Sequence, residues 1–137
     1  MRERILITGS SGFLGNYLIR HLKGRADLHC IYKSRKPQVE GVATYLCDIT
    51  NWDEIRRIFD EISPSVIIHA ASLSDVEGCE LQKDLAYRTN VLSTEYLSEI
   101  AGKRAVRFIY ISTDNVFDGN RGMYTEEDNP CPINYYG

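Results

Sequence analysis

Apolar runs of strand length recur along the chain at Ile5 to Thr8, Leu28 to Tyr32, Ala43 to Cys47, Val66 to His69 and Val106 to Ser112. Between most of them the apolar positions fall three and four residues apart, the spacing of one helix face. Tyr17 to Leu22 reads as the first helix. After Asp48, Thr50 predicts an N-cap with Asp53 three residues on, Ile55, Ile58, Phe59 and Ile62 predict one buried face, and Ser63-Pro64 predicts the stop. A longer helix is predicted from about Leu81 to Ala101, with Leu85, Thr89, Leu92, Tyr96 and Ile100 as its buried stripe and Gly102 as its end. The strands are nearly continuous in apolar character, as strands covered on both faces are. Right-handed crossovers then predict an α/β fold, a doubly wound parallel sheet in the order 3-2-1-4-5, with ligand at the carboxyl ends of the strands. Past Ser112 the apolar pattern gives way to a polar stretch rich in Asn, Gly, Glu and Pro as far as Pro132, a loop long enough to be functional.

Composition narrows the partners. At 137 residues the chain fits one domain with enough apolar content for a core of its own. The net charge of −3 and the lack of like-charge runs argue against nucleic acid or an anionic membrane surface as partner. Met1-Arg2-Glu3-Arg4 runs straight into the first strand, and no apolar stretch approaches membrane-spanning length, so a cytoplasmic protein is expected. Cys30, Cys47, Cys79 and Cys131 are scattered, with neither metal-ligand nor disulfide spacing, so no metal site is expected. His69, closing an apolar run, reads as a satisfied core residue rather than a base, and His21 and His29 as surface or packing residues.

The chemistry gathers at the predicted strand ends. Gly9-Ser10-Ser11-Gly12-Phe13-Leu14-Gly15 stands between the first strand and the first helix. Glycines there permit positive φ and close approach of a diphosphate to main-chain N–H groups at a helix N-terminus. The Ser10 and Ser11 hydroxyls are candidate further donors. The plain alternative is that the glycines only tighten the turn. After the second strand an NAD-selective site usually offers a carboxylate; Lys33, Ser34 and Arg35 instead offer two cations and a hydroxyl, a composition suited to a 2′-phosphate, or simply a solvated basic turn. Asp48, after the third strand, is a candidate adenine contact or the start of the next helix, and Ala70-Ala71-Ser72 leave room for a flat ring or ribose. Ser112-Thr113-Asp114 and Tyr136 supply a hydroxyl and a phenol that together suit a carbonyl.

Taken together, these motifs resemble the extended short-chain dehydrogenase/reductases of Rossmann-like fold, and within them the dTDP-4-dehydrorhamnose reductases. The matching segments run from Ile5 to Gly15 through Cys47-Asp48-Ile49-Thr50, His69 to Ser72, Ala86 to Thr94, Tyr110 to Gly119 and Tyr124 to Gly137. Thr113-Asp114 and Phe117-Asp118-Gly119 favour the reductases over the sugar-nucleotide epimerases. The resemblance implies Tyr136 as catalytic acid with Thr113 as its hydroxyl partner, and Gly9 to Gly15, Asp48, Ile49, Ala70, Ala71, Ser72 and Asn90 around an NADPH or NADH cofactor. It places Ser74 by the nicotinamide and sugar, and Asn115 where the family has a tyrosine beside the substrate. It implies hydride transfer to C4 of a dTDP-linked 4-keto-6-deoxy sugar, and a possible homodimer.

The family's Tyr-x-x-x-Lys lysine would fall four residues after Tyr136, whereas the sequence ends at Gly137. The expectation is therefore a cofactor-binding portion that turns over little. Two alternatives stay open: a dinucleotide-binding regulatory subunit resembling the beta subunit of methionine adenosyltransferase, and another sugar-nucleotide epimerase or dehydratase.

Overall fold

A computed structural model describes residues 2–137. The sheet has five parallel strands in the order β3-β2-β1-β4-β5, as the apolar runs predict. These are β1 (Arg4–Thr8), β2 (Asp27–Tyr32), β3 (Ala43–Leu46), β4 (Val66–His69) and β5 (Arg107–Tyr110). The register sets Ile7 between Cys30 on one side and Ile68 on the other. Because side chains alternate across a strand, Leu6, Ile31 and Ile67 face helix α2 (Trp52–Ile62) and the later helices, whereas Ile5, Ile7 and Ile68 face helix α1 (Phe13–Leu22). Two separate cores result, one on each face, and both fix the carboxyl ends of β1 to β4 in one row.

Helix α2 buries Ile55, Ile58, Phe59 and Ile62, the face its spacing predicts. Its cap is Asn51, whose side chain accepts from the Glu54 N–H, and not Thr50. Thr50 is already engaged: its N–H and hydroxyl both donate to Asp48 Oδ1, at 3.0 and 2.8 Å, so the helix begins one residue later.

The helix expected from Leu81 to Ala101 is not one regular α-helix: the chain is helical without a break from Lys83 to Lys103, with a π turn inside it. The chain instead makes α3 (Val76–Leu81), α4 (Lys83–Ala86), a π turn over Tyr87–Leu92 and α5 (Ser93–Lys103). A π turn inserts a residue and rotates everything beyond it. The buried positions are accordingly Ala86, Ser93, Leu97, Ile100 and Ala101, while Leu85, in the expected stripe, is exposed. The end is also different: α5 runs past Gly102 to Lys103, and the left-handed residue after it is Ala105, with φ +52. Strand β5 is one edge of the sheet, opposite β3, with Ile109 40% exposed on the α1 side. No helix among the described residues is long and apolar enough to cross a membrane.

Candidate functional site

A cleft of about 340 Å³ opens at the carboxyl ends of β1 to β4. Its floor is the turn from Gly9 to Gly15. The turn is fixed by the Gly12 N–H bonding to the Gly9 carbonyl at 3.0 Å, and by Gly9 at φ +65. Helix α1 starts at Phe13 with no side-chain cap and no acidic residue in its first turn, leaving its free N–H groups and partial positive charge for an outside anion. A side chain has no place at Gly9, where a Cβ would lie 2.6 Å from the Ala70 carbonyl oxygen, or at Gly15, where it would lie 2.7 Å from Ser10 Cα. The turn, α1 and the loop after β4 therefore touch backbone to backbone.

Of the residues singled out from the sequence, Gly9, Ser11, Gly12, Phe13, Leu14 and Gly15 line this cleft on the turn side. Lys33, Asp48 and Ile49 line it after β2 and β3, and Ala70, Ala71, Ser72 and Ser74 close it from β4. Tyr32 and Thr89 also line it, though the sequence pattern placed Tyr32 only at a strand end and Thr89 only on a helix stripe. Thr89 lies within the π turn, which no helical periodicity reveals.

Ser10 is the first correction. It is fully buried, and both its N–H and its hydroxyl donate to the Ile31 carbonyl, at 3.1 and 2.7 Å. It staples the turn to β2 and has no hydroxyl left for a phosphate. Among the basic residues, Lys33 pairs with Asp48 Oδ2 at 2.8 Å, while Ser34 and Arg35 are exposed and lie outside the cleft lining. Burial pushes the Asp48 carboxyl up, but the Lys33 ammonium and the two Thr50 bonds outweigh it and hold the group below its usual range. Cys47 on the wall is held as a thiol, its pKa pushed up to about 11, first by burial and then by Glu54 and Asp48.

Asn90 is the second correction. It does not line the cleft; its Oδ1 accepts the Leu73 N–H at 2.8 Å and its Nδ2 donates to the Leu73 carbonyl at 2.9 Å. It holds the loop that carries Ala70 to Ser74. His69 extends the same scaffold from a fully buried position. The Ala71 N–H donates to Thr8 Oγ1, so the Thr8 hydroxyl proton goes to His69 Nδ1, 2.6 Å away. At the other nitrogen, Thr94 Oγ1 gives its proton to the Asn90 carbonyl at 2.6 Å and so accepts from Nε2–H at 3.0 Å. The ring is a neutral Nε2–H tautomer with both nitrogens satisfied, and burial lowers its pKa to about 4. It is a core residue, as its place in the apolar run indicates. Replacing Asn90 by alanine removes both of its Leu73 bonds and leaves the Leu73 N–H partly buried and unpaired, while the Leu73 carbonyl keeps the Cys79 thiol. The expected cost is about 1–3 kcal/mol, measured as a lower urea midpoint, with faster amide exchange at Leu73.

Thr113 caps a short 3-10 turn at Asp114–Val116. Its Oγ1 accepts from the Asn115 N–H and from Asn115 Nδ2, both at 3.2 Å. Asn115 Oδ1 in turn accepts from Asn134 Nδ2 at 3.2 Å, and the Gly137 backbone packs against the Asn115 carbonyl so closely that a Cβ there would collide. The segments of Thr113 and Tyr136, distant in sequence, thus meet at Asn115. Neither residue lines the cleft, and among the described residues no hydrogen bond joins the two. The loop between these segments is ordered by its own contacts. Phe117 stacks on Tyr124 at 4.4 Å between centroids, Tyr124 donates to Asp118, and the Thr125 N–H donates to Asp128 at 2.8 Å. The Tyr124 and Asn120 bonds hold the Asp118 carboxyl below its ordinary range.

This geometry has known counterparts. A structure described as a hypothetical dTDP-4-dehydrorhamnose reductase from Sulfolobus tokodaii is 40% identical with a TM-score of 0.91, over 98% of this chain and 48% of that one. The dTDP-4-dehydrorhamnose reductase of Bacillus anthracis, solved in complex with NADP, is 34% identical with a TM-score of 0.83, over 99% and 45%. Methionine adenosyltransferase 2 subunit beta of Rattus norvegicus is 33% identical over 98% of this chain and 40% of its own length. The chain spans less than half the length of the curated relatives it matches. The model of the RmlD substrate binding domain matches residues 2–137, and with that match and the parallel sheet bearing the glycine turn, the chain belongs to the RmlD family, that of the dTDP-4-dehydrorhamnose reductases.

Proposed function

We propose that this chain is the dinucleotide-binding part of a reductase that transfers hydride from NADPH, or NADH, to the C4 ketone of a dTDP-linked 4-keto-6-deoxy sugar. One observation carries the reading: a cleft floored by an uncapped helix N-terminus and a glycine turn, with Asp48 on one wall and Ala70 to Ser72 on another. The residues present fit a dinucleotide, whose reduced nicotinamide supplies the hydride when bound.

The N–H groups at the start of α1 receive the diphosphate, and Ser11 adds a hydroxyl. Asp48 faces the adenine, Lys33 and Arg35 receive a 2′-phosphate, and the small side chains of Ala70 and Ala71 admit the nicotinamide ribose. Ser74 and Asn115 contact the sugar. Thr113 orients the ketone oxygen, and Tyr136 protonates it as it gains negative charge. A phenol titrates at about pH 10, so proton delivery at neutral pH needs a nearby cation. The reading extends to a cytoplasmic setting and a homodimer.

The test is a fluorescence titration with NADPH and NADH. The chain binds both, and Lys33→Met and Arg35→Met together weaken NADPH about 10-fold relative to NADH, the loss of charge-assisted contacts to one phosphate. An unchanged ratio removes the basic turn from the site, and absence of binding removes the reading.

A second reading, a regulatory dinucleotide-binding subunit, is favoured by the methionine adenosyltransferase relative and by Asn115 in place of the substrate-side tyrosine. An extended chain that binds NADPH, reduces no dTDP-linked ketone and forms a stable complex with a partner enzyme selects it.

A further inference from the structure

Helix α3 touches two parts of the site that the sequence keeps far apart. On one side Cys79 Sγ donates to the Leu73 carbonyl at 3.2 Å, on the loop that Asn90 holds. On the other, Glu80 Oε1 accepts the Tyr135 N–H at 2.7 Å, across 55 positions of sequence. Lys83, at the start of α4, lies 3.4 Å from Glu80 Oε2 and 5.1 Å from the centroid of the Tyr135 ring. The Tyr135 amide, ahead of Lys83, holds the Glu80 carboxyl below its ordinary range, as a carboxylate accepting a bond should be.

Besides this contact the segment of Tyr136 is held by Asn115, by the Cys131 N–H on the Val116 carbonyl at 2.8 Å, and by Lys83 beside the Tyr135 ring. Asn115 fastens Asn134 and the Gly137 backbone, which brackets Tyr136 but leaves the Tyr135 backbone free to turn. Glu80 supplies the hydrogen bond to the Tyr135 backbone itself, and a fixed peptide at Tyr135 limits how the next residue can turn.

We propose that Glu80 is a positioning residue, which pins the Tyr135 backbone so that α3 is a strut between the cleft loop at Leu73 and the phenol of Tyr136. The inference rests on the reading above, in which Tyr136 protonates the substrate. It adds the element that sets the phenol's distance from the cofactor cleft. The Glu80 carboxylate touches neither cleft nor phenol and acts through the backbone of the neighbouring residue.

Uniform nitrogen-15 labelling reports on this directly in the 137-residue chain. Glu80→Ala speeds exchange of the Tyr135 amide about 10-fold, the loss of one accepted bond at a local opening, and leaves the Ile7 and Ile67 amides unchanged. Glu80→Gln, which keeps an oxygen acceptor, restores protection. NADPH shifts the Tyr136 resonance in the wild type and in Glu80→Gln, and that shift is lost in Glu80→Ala although NADPH affinity is retained. Unaltered Tyr135 exchange, or a Tyr136 response preserved in Glu80→Ala, overturns the strut. Failure of the wild type to bind NADPH, with Tyr135 protected as described, overturns the functional reading and leaves the Glu80 contact standing as a structural one.

Discussion

Gly9→Ala abolishes dinucleotide binding and destabilises the fold. Gly9 sits at φ +65, a conformation that costs an L-residue about 1–2 kcal/mol. The added Cβ also meets Ala70 O at 2.6 Å and Ala71 Cα at 2.7 Å, and both are backbone atoms with no side-chain freedom to yield. Either the turn or the loop after β4 must move, and both are walls of the cleft. The expected destabilisation is about 2–4 kcal/mol, strain and overpacking combined. NADPH affinity falls at least about 100-fold, because a diphosphate cradle of aligned N–H groups tolerates little displacement. Gly102→Ala is the control: it lies inside α5 with nothing within 4 Å of its Cβ, and leaves binding unchanged while stabilising the helix by about 0.5–1 kcal/mol. Thermal melts with and without NADPH measure both effects. A Gly9→Ala protein that binds NADPH like the wild type would show that the turn does not hold the ligand.

The second large effect is acid lability centred on His69. Its folded pKa, about 4, lies below the ordinary histidine value of 6.5. Above pH 6.5 the ring is neutral in both states and adds no pH dependence. As pH falls from 6.5 towards 4, the unfolded chain binds a proton that the folded ring refuses, and stability drops. Below about 4 both states are protonated and the loss is complete. A shift of this size corresponds to about 3 kcal/mol. The structural cost falls on the cleft, since a proton on Nδ1 opposes the Thr8 hydroxyl that the Ala71 N–H orients. Urea midpoints should fall steeply between pH 6.5 and 4, and the His69 ring should titrate below pH 5 in NMR. A ring titrating near 6.5 would sink this account.

Much of this protein was legible in its sequence, for a physical reason. Strand runs, the α2 face and the glycine turn are local, each written in neighbouring residue types whose spacing matches one backbone period. Parallel order followed because strands covered on both faces need crossovers of one hand. The sequence also assembled the cleft, since the carboxyl ends of parallel strands converge wherever such a sheet forms.

What the sequence did not reveal depends on partners far along the chain. Ser10 reads as a phosphate donor until the Ile31 carbonyl takes its hydroxyl, and Asn90 reads as a ligand contact until Leu73 takes both ends of its amide. The π turn is the clearest instance. Helical periodicity favours Leu85, Thr89 and Leu92 on the buried face, whereas Asn90 must reach Leu73 and Thr94 must reach His69. Those long-range bonds outweigh the regular helix and rotate the stripe to Ser93 and Leu97. Sequence alone determined which elements form and where their ends gather; tertiary structure decided which polar groups face the cleft, because a side chain with a buried partner is no longer available to a ligand.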